Sequence, residues 1–81
     1  MKVISVKIDE IYVPVKLAQS VDETRVESVA EAYMEDGKLT PVLVRHDGKR
    51  YVLVKGVNRL SALKALGETE IPAYRVQAMK H

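Results

Sequence analysis

The segment Tyr51-Val52-Leu53-Val54-Lys55-Gly56-Val57-Asn58-Arg59-Leu60 sets the tightest limit on what this chain can fold into. A short apolar strand stops at a glycine, and a helical pattern begins at once, with Leu60, Leu63 and Leu66 on one face and Ala62 and Ala65 beside them. Gly56 or Asn58 can start that helix, and Gly67 ends it. A strand feeding straight into a helix leaves the unpaired N–H groups of the first turn, at the positive end of the helix dipole, facing whatever approaches the strand end. Gly56 lets a ligand come close because it has no Cβ. Asn58 offers an amide donor, and Arg59 a planar fork matched to phosphate or carboxylate oxygens. The spacing is not the G-x-x-x-x-G-K-[ST] of a nucleotide-binding P-loop. On the residues alone two readings stand: an anion-binding turn, or a glycine that only ends a strand beside an arginine paired with a nearby acid.

The rest of the chain supplies a sheet and a second helix. Residues 3–8 read as a strand from their β-branched Val3, Ile4, Val6 and Ile8. Ile11-Tyr12-Val13 is extended and ends at Pro14, which lacks a ladder donor, so an edge strand or a bend is expected there. Residues 15–21 read as a loop. Asp22 can cap a helix, with Glu23 in its first turn favourable to the dipole. Arg25 stands three residues after Asp22, so the acid of a full capping box is missing. Val26, Val29, Ala30, Tyr33 and Met34 then recur at helical spacing, Glu27, Glu31 and Glu35 face outward, and Gly37 closes the helix. Val42-Leu43-Val44 and Tyr51-Val52-Leu53-Val54 form an antiparallel pair around the Asp47-Gly48 turn signal. Ile71 to Val76 is a last strand, edge-like because of Pro72. Both helices need a surface to bury their stripes, which predicts an α+β fold: a small mixed sheet with two packed helices. Gln77 to His81 are expected to fray.

At 81 residues the chain reads as a single domain, 1–81, near the size where one core becomes marginal. A fold this small has little apolar surface to spare, and a homodimer is compatible with it. A hydrophobic content of 47% is too high for a disordered segment. With four Tyr, no Phe and no Trp, the core must come from Val, Leu, Ile and Ala. The absence of Cys removes disulfides, thiolate metal sites and cysteine nucleophiles. No apolar run approaches the roughly 20 residues of a membrane span, and no export signal stands at the start, so a cytoplasmic protein is expected. A net charge of +2 does not argue for nucleic acid. Arg45, His46, Lys49, Arg50, Lys55, Arg59 and Lys64 cluster in sequence with Asp47 as their only acid, but hairpin and helix residues point in different directions. A solvated surface explains them as well as a basic face does.

Taken together, the segments resemble the ParB/sulfiredoxin superfamily, in particular small stand-alone ParB-like nuclease or sulfiredoxin-like domains. The resemblance covers nearly the whole chain. It rests on Val13-Pro14, on Val21 to Ser28, on Gly37 with Thr40-Pro41-Val42-Leu43-Val44, on Tyr51 to Ala62, and on Leu66-Gly67 with Thr69-Glu70-Ile71-Pro72-Ala73. Sulfiredoxins read glycine-cysteine-histidine-arginine at the turn and ParB proteins glycine-glutamate-arginine-arginine, and in both the turn and its helix hold nucleotide phosphates. The resemblance therefore implies phosphate contact at Gly56 and Arg59. It adds Arg25 and Ser28, which match a lysine and a serine facing the phosphates in sulfiredoxins and stand three apart on one helix face. More weakly, it puts Gly37, Thr40 and Pro41 at the rim of a nucleotide pocket. ATP, ADP or CTP is the implied ligand.

The departures from the family pattern narrow the activity. Val57 stands where the sulfiredoxin cysteine acts, so sulfiredoxin chemistry is excluded. Asn58 replaces a histidine or glutamate and cannot act as a general base near pH 7. The ParB segments for the second nucleotide motif and for reading centromere DNA are not in this sequence, so CTP-switched clamping and sequence-specific loading are not expected of it alone. Related free-serine kinases use a glutamate base; Glu10 is the better candidate by position, and Glu31 lies three residues from Ser28, although Glu27, Glu31 and Glu35 also read as a solvated ladder. His46 and His81 have no carboxylate at ligand spacing, and no metal site is predicted. The tyrosines do not interleave with basic residues as in single-strand binders. The leading expectation is a nucleotide- or phosphate-binding domain built on Arg25, Ser28, Gly56, Asn58 and Arg59. The alternatives are an enzyme of the same fold, either a ParB-like nuclease or a small-molecule kinase using ATP or ADP, and an accessory domain contacting DNA backbone phosphates. A membrane partner is not expected.

Overall fold

The computed structural model describes residues 2–77. The β-branched start forms β1 (Val3–Lys7), and a single 3-10 turn over Ile8–Glu10 redirects the chain into β2 (Ile11–Tyr12). Then follow α1 (Val15–Gln19), α2 (Glu23–Asp36), β3 (Val42–His46), β4 (Tyr51–Lys55), α3 (Val57–Ala65) and β5 (Glu70–Arg75). The five strands make one mixed sheet in the order β1-β5-β3-β4-β2. β1/β5 and β3/β4 are antiparallel, whereas β3/β5 and β2/β4 are parallel. This is the α+β fold with a small mixed sheet that the sequence pattern predicts, and β2 takes the expected edge position.

One apolar core joins the sheet to the helices. Val6, Val42, Val44, Leu53, Ile71 and Ala73 project from the strands to meet Val57, Leu60 and Leu63 of α3. α2 packs against α3 and lays Tyr33 against the edge of this core. Among the described residues, aliphatic side chains supply the largest fully buried positions, namely Leu53, Leu63, Ile71, Val42 and Val44. Each contributes about 1.5–3 kcal/mol through removal from water.

Asp22 caps α2 as expected, accepting from the backbone N–H of Thr24 at 3.0 Å and of Arg25 at 3.4 Å. Gly37 closes the helix with φ 68° and donates to Tyr33 O at 2.7 Å.

Three expectations need correction. Residues 15–21 are not all loop: Val15–Gln19 form one helical turn. Lys16, Leu17, Ala18 and Gln19 are strong helix formers behind a proline, but five residues are too few to show a 3.6-residue period. β5 is an interior strand despite Pro72. Its ladder with β3 begins only at Val42 opposite Ala73, one residue past the proline, so Pro72 has a side on which no ladder donor is needed. Met34 is 65% exposed and does not belong to the buried stripe. At 100° per residue it lies about 80° round the helix from Val26, at the margin of the face that packs. The expectation for the last residues lies, beyond Gln77, outside the described residues.

Candidate functional site

The strand–glycine–helix turn is built as the sequence suggests, but two of its side chains are tied to backbone groups of other segments. Gly56 is the N-cap of α3 with φ 109°, a left-handed conformation, and no side chain caps this helix. A Cβ at Gly56 would lie 2.6 Å from Val42 Cγ1, 3.0 Å from Val42 Cβ and 3.1 Å from Arg59 Nη2. Backbone conformation and space both require glycine here. Arg59 reaches back across the turn, and its Nη1 donates to Pro41 O at 2.6 Å and Thr40 O at 3.0 Å. Partial burial lowers the guanidinium pKa from its ordinary value by desolvation, yet an arginine so high in pKa stays charged. Nε and Nη2 are the remaining donors of the fork. Asn58 is likewise engaged: its Oδ1 accepts the backbone N–H of Asp22 at 2.9 Å, which leaves its NH2 group.

Arg25, Ser28, Gly56, Asn58 and Arg59 all line one groove of about 560 Å³. α2 brings Arg25, Ser28 and Val29 to one wall, and the end of β4 with the start of α3 brings Val54 through Arg59 to the other. Leu17 and Ser20, from α1 and its end, complete the lining together with Thr40. Leu17 and Ser20 escape sequence reasoning because the five-residue helix that carries Leu17, with Ser20 as its C-cap, is too short to show a period. Lys55, read earlier only as one of the clustered basic residues, joins Arg25 and Arg59 as a third cation of the groove. Val57 is 8% exposed and packs into the core, so at this position the turn presents an aliphatic floor in place of a nucleophile.

Among the described residues, no carboxylate lines this groove. Asp22 stands near it but spends its carboxylate on the amides of its own helix. Glu10 lines a different groove, with Tyr12, His46, Lys49 and Arg50. That groove lies at the other end of β4: Ile11 pairs with Tyr51, and five strand residues at about 3.3 Å each separate Tyr51 from Gly56. Glu31 is exposed on α2 and lines neither groove. Beside the basic groove, a second recess of about 480 Å³ shares Val29, Thr40 and Arg59 with it and adds Ala32, Asp36, Lys38 and Leu39. Of the three rim residues the resemblance implied, Thr40 lines both spaces and Pro41 holds Arg59 through its carbonyl, whereas Gly37 lines neither. Asp36, the last residue of α2, is the acid that the fold brings to this neighbourhood, and nothing in its sequence spacing announced it.

The far groove is organised differently. The Arg50 guanidinium lies 4.0 Å over the Tyr12 ring, and His46 meets Tyr51 edge-on at 4.9 Å. His46 Nδ1 accepts the Gly48 N–H at 3.1 Å. Among the described residues, no group of three or more His, Cys, Asp or Glu is placed to hold a metal ion, and His81 lies outside them. No helix among them is long and apolar enough to cross a membrane.

A mixed five-stranded sheet whose strand–glycine–helix turn opens on a basic groove defines a class of small α+β domains. The chain belongs to the ParB N-terminal domain family, whose model matches residues 1–81. The chromosome-partitioning protein ParB of Myxococcus xanthus is 38% identical over 52 residues, which are 64% of this chain and 18% of that protein. A probable chromosome-partitioning protein ParB of Campylobacter jejuni is 31% identical over 61 residues, 75% of this chain and 22% of that protein. The chain thus spans about a fifth of the length of these relatives.

Solved structures share the fold at lower identity. Sulfiredoxin from Arabidopsis thaliana superposes with a TM-score of 0.85 at 19% identity, covering 96% of this chain and 88% of that one. C-terminally truncated ParB from Caulobacter crescentus, complexed with CTP-γ-S, gives 0.80 at 20% identity, covering 99% and 47%. A free serine kinase mutant in complex with ADP gives 0.81 at 18% identity, covering 94% and 31%.

Proposed function

We propose that the chain is a nucleotide-binding domain, 1–81, whose basic groove holds the phosphates of ATP, ADP or CTP. The observation that carries this reading is the convergence of Arg25, Lys55 and Arg59 on one groove that no carboxylate among the described residues lines, at the N-terminus of α3, where no side-chain cap is bonded. Gly56 admits the phosphates to the backbone N–H groups, Arg59 offers Nε and Nη2, and Asn58 offers its NH2 group. Arg25 and Ser28 face them from α2. The adjoining recess beside Val29, Ala32, Leu39 and Thr40 is the proposed place of the base. Support comes from the ParB structure complexed with CTP-γ-S and the kinase complexed with ADP, which share the fold. The cytoplasm, where such nucleotides are available, is the proposed working compartment.

The alternative readings draw less support. A kinase or nuclease would need a general base or a metal-binding acid within hydrogen-bonding reach of the phosphates. Glu10 and Glu31, the acids proposed for it, do not line the groove, and Asp36 lines the adjoining recess, on the side proposed for the base. A DNA-backbone role would gather the basic residues on one face, but Lys49 and Arg50 line the far groove and Arg50 is stacked on Tyr12. Backbone NMR of the labelled protein titrated with ATP, ADP and CTP tests the proposal. The expected result is saturable shifts at Gly56 to Arg59, Arg25 and Ser28. Shifts confined to the hairpin at Asp47 to Arg50, or none, would contradict it.

A further inference from the structure

We infer that Asn58 is a positioning residue, which holds α2 against the turn and so sets where Arg25 and Ser28 stand in the groove. The start of α2 lacks one acceptor of its own. Asp22 caps the helix with its side chain, but its own backbone N–H needs an acceptor. In a capping box, the glutamate or glutamine three residues on supplies it. Here that residue is Arg25, which has no acceptor and whose charge opposes the dipole at a helix N-terminus. The missing acceptor comes from the other helix: Asn58 Oδ1 takes the Asp22 N–H at 2.9 Å, across 36 residues of sequence.

The bond also fixes which way the amide faces. Asp22 N–H can donate only to oxygen, so the Asn58 oxygen is turned to α2 and its NH2 group is left for the groove. The arrangement lets a cation stand in the first turn of α2, where the local rule would put an acid, because α3 completes the cap in its place. Arg25 and Ser28 ride on that turn and the next. A loosened Asp22 therefore displaces two groove residues at once, one of them the cation of that wall. This rests on the nucleotide reading for its binding readout and not for its structural one.

Amide hydrogen exchange at Asp22 without ligand tests the brace directly. Asn58→Ala should speed exchange at Asp22 about fivefold or more, while Asn58→Asp, which keeps an acceptor oxygen, should retain protection. Arg25→Glu restores the acid of a capping box within α2, so in that background Asn58→Ala should change Asp22 exchange less than about twofold. Unchanged exchange in Asn58→Ala alone, or an undiminished effect in the Arg25→Glu background, overturns the inference. If Asn58→Ala does not fold, Asn58→Asp set against Asn58→Leu at partial denaturation decides the same point by stability. For binding, ATP affinities are compared across Arg25→Ala, Asn58→Ala and the double variant. Because the Asn58 NH2 group also faces the groove, a positioning role predicts that the two losses overlap, so that the double loses clearly less than their sum; fully additive losses overturn it. Should the unaltered protein bind no nucleotide, the nucleotide reading fails while the exchange experiment still decides the brace.

Discussion

Gly56 is constrained twice, by a φ of 109° and by Val42 and Arg59 standing where a Cβ would go. Gly56→Ala is therefore expected to destabilise the fold by about 2–4 kcal/mol, the sum of a left-handed non-glycine residue and forced repacking against a buried valine. Urea unfolding of the two proteins measures it. Arg59 likewise has two duties: Nη1 secures Thr40 and Pro41 ahead of β3, and the rest of the fork faces the groove. Arg59→Ala should lower stability by about 1–2 kcal/mol, a range reduced for solvent screening at a half-buried site, and abolish measurable nucleotide binding. Arg59→Lys keeps the charge but not the planar fork, and should recover only part of both. Calorimetry and thermal melts on the three proteins separate the two roles. The sequence pattern supplied both residue types and their spacing. It could not show that Asn58 and Arg59 spend part of their hydrogen-bonding capacity on the protein, because the partners, Asp22, Thr40 and Pro41, lie 18 to 36 residues away.

At the scale of elements, legibility followed length and local chemistry. α2 and the β3–β4 hairpin were readable because a cap, a stripe and a turn signal agreed within each segment. α1 was not, since one turn has no period, and its loss hid Leu17 and Ser20 from the site. Pro72 misled because a proline reports on one side of a strand and the neighbour on that side is set by topology. The hairpin turn gives a pH prediction. Asp47 accepts backbone N–H groups from Lys49 and Arg50, both at 3.0 Å. Those amide bonds, the one from Arg50 foremost, hold its carboxyl below the ordinary aspartate range, with the Arg50 charge assisting. A lowered folded-state pKa stabilises the turn above the unfolded value of about 3.9. The stabilisation drains as pH falls through the lower folded value. The protection of the Lys49 and Arg50 amides, taken against their intrinsic exchange rates at each pH, should fall across that acid window, and Asp47→Ala should remove that fall. A flat profile in the unaltered protein would contradict the assignment.

Across the whole molecule, the groove exists only after folding: three helices and the end of β4 deliver its lining, with Thr40 from the segment before β3. The fold class was legible as a whole because each amphipathic element had to bury its stripe against another. Gly56, Asn58 and Arg59 were legible from the chemistry of the turn, Arg25 and Ser28 only through family resemblance, and the fold gathers all five on one groove. It leaves the acids Glu10 and Glu31 outside that groove, which is why binding is favoured over chemistry. Ligand binding should also raise stability by mass action: nucleotide at a hundredfold excess over Kd adds about 2.7 kcal/mol. For a domain of this size that is a rise in Tm of about 10 °C or more. The most direct test is isothermal titration of the purified chain with ATP, ADP and CTP, in parallel with Arg25→Ala and Arg59→Ala variants whose folding is verified by circular dichroism. Saturable binding of at least one nucleotide, lost or weakened tenfold or more in both variants, is the predicted result. No saturable binding of any of the three, or equal binding by the folded variants, would contradict the assignment of this groove to nucleotide phosphates.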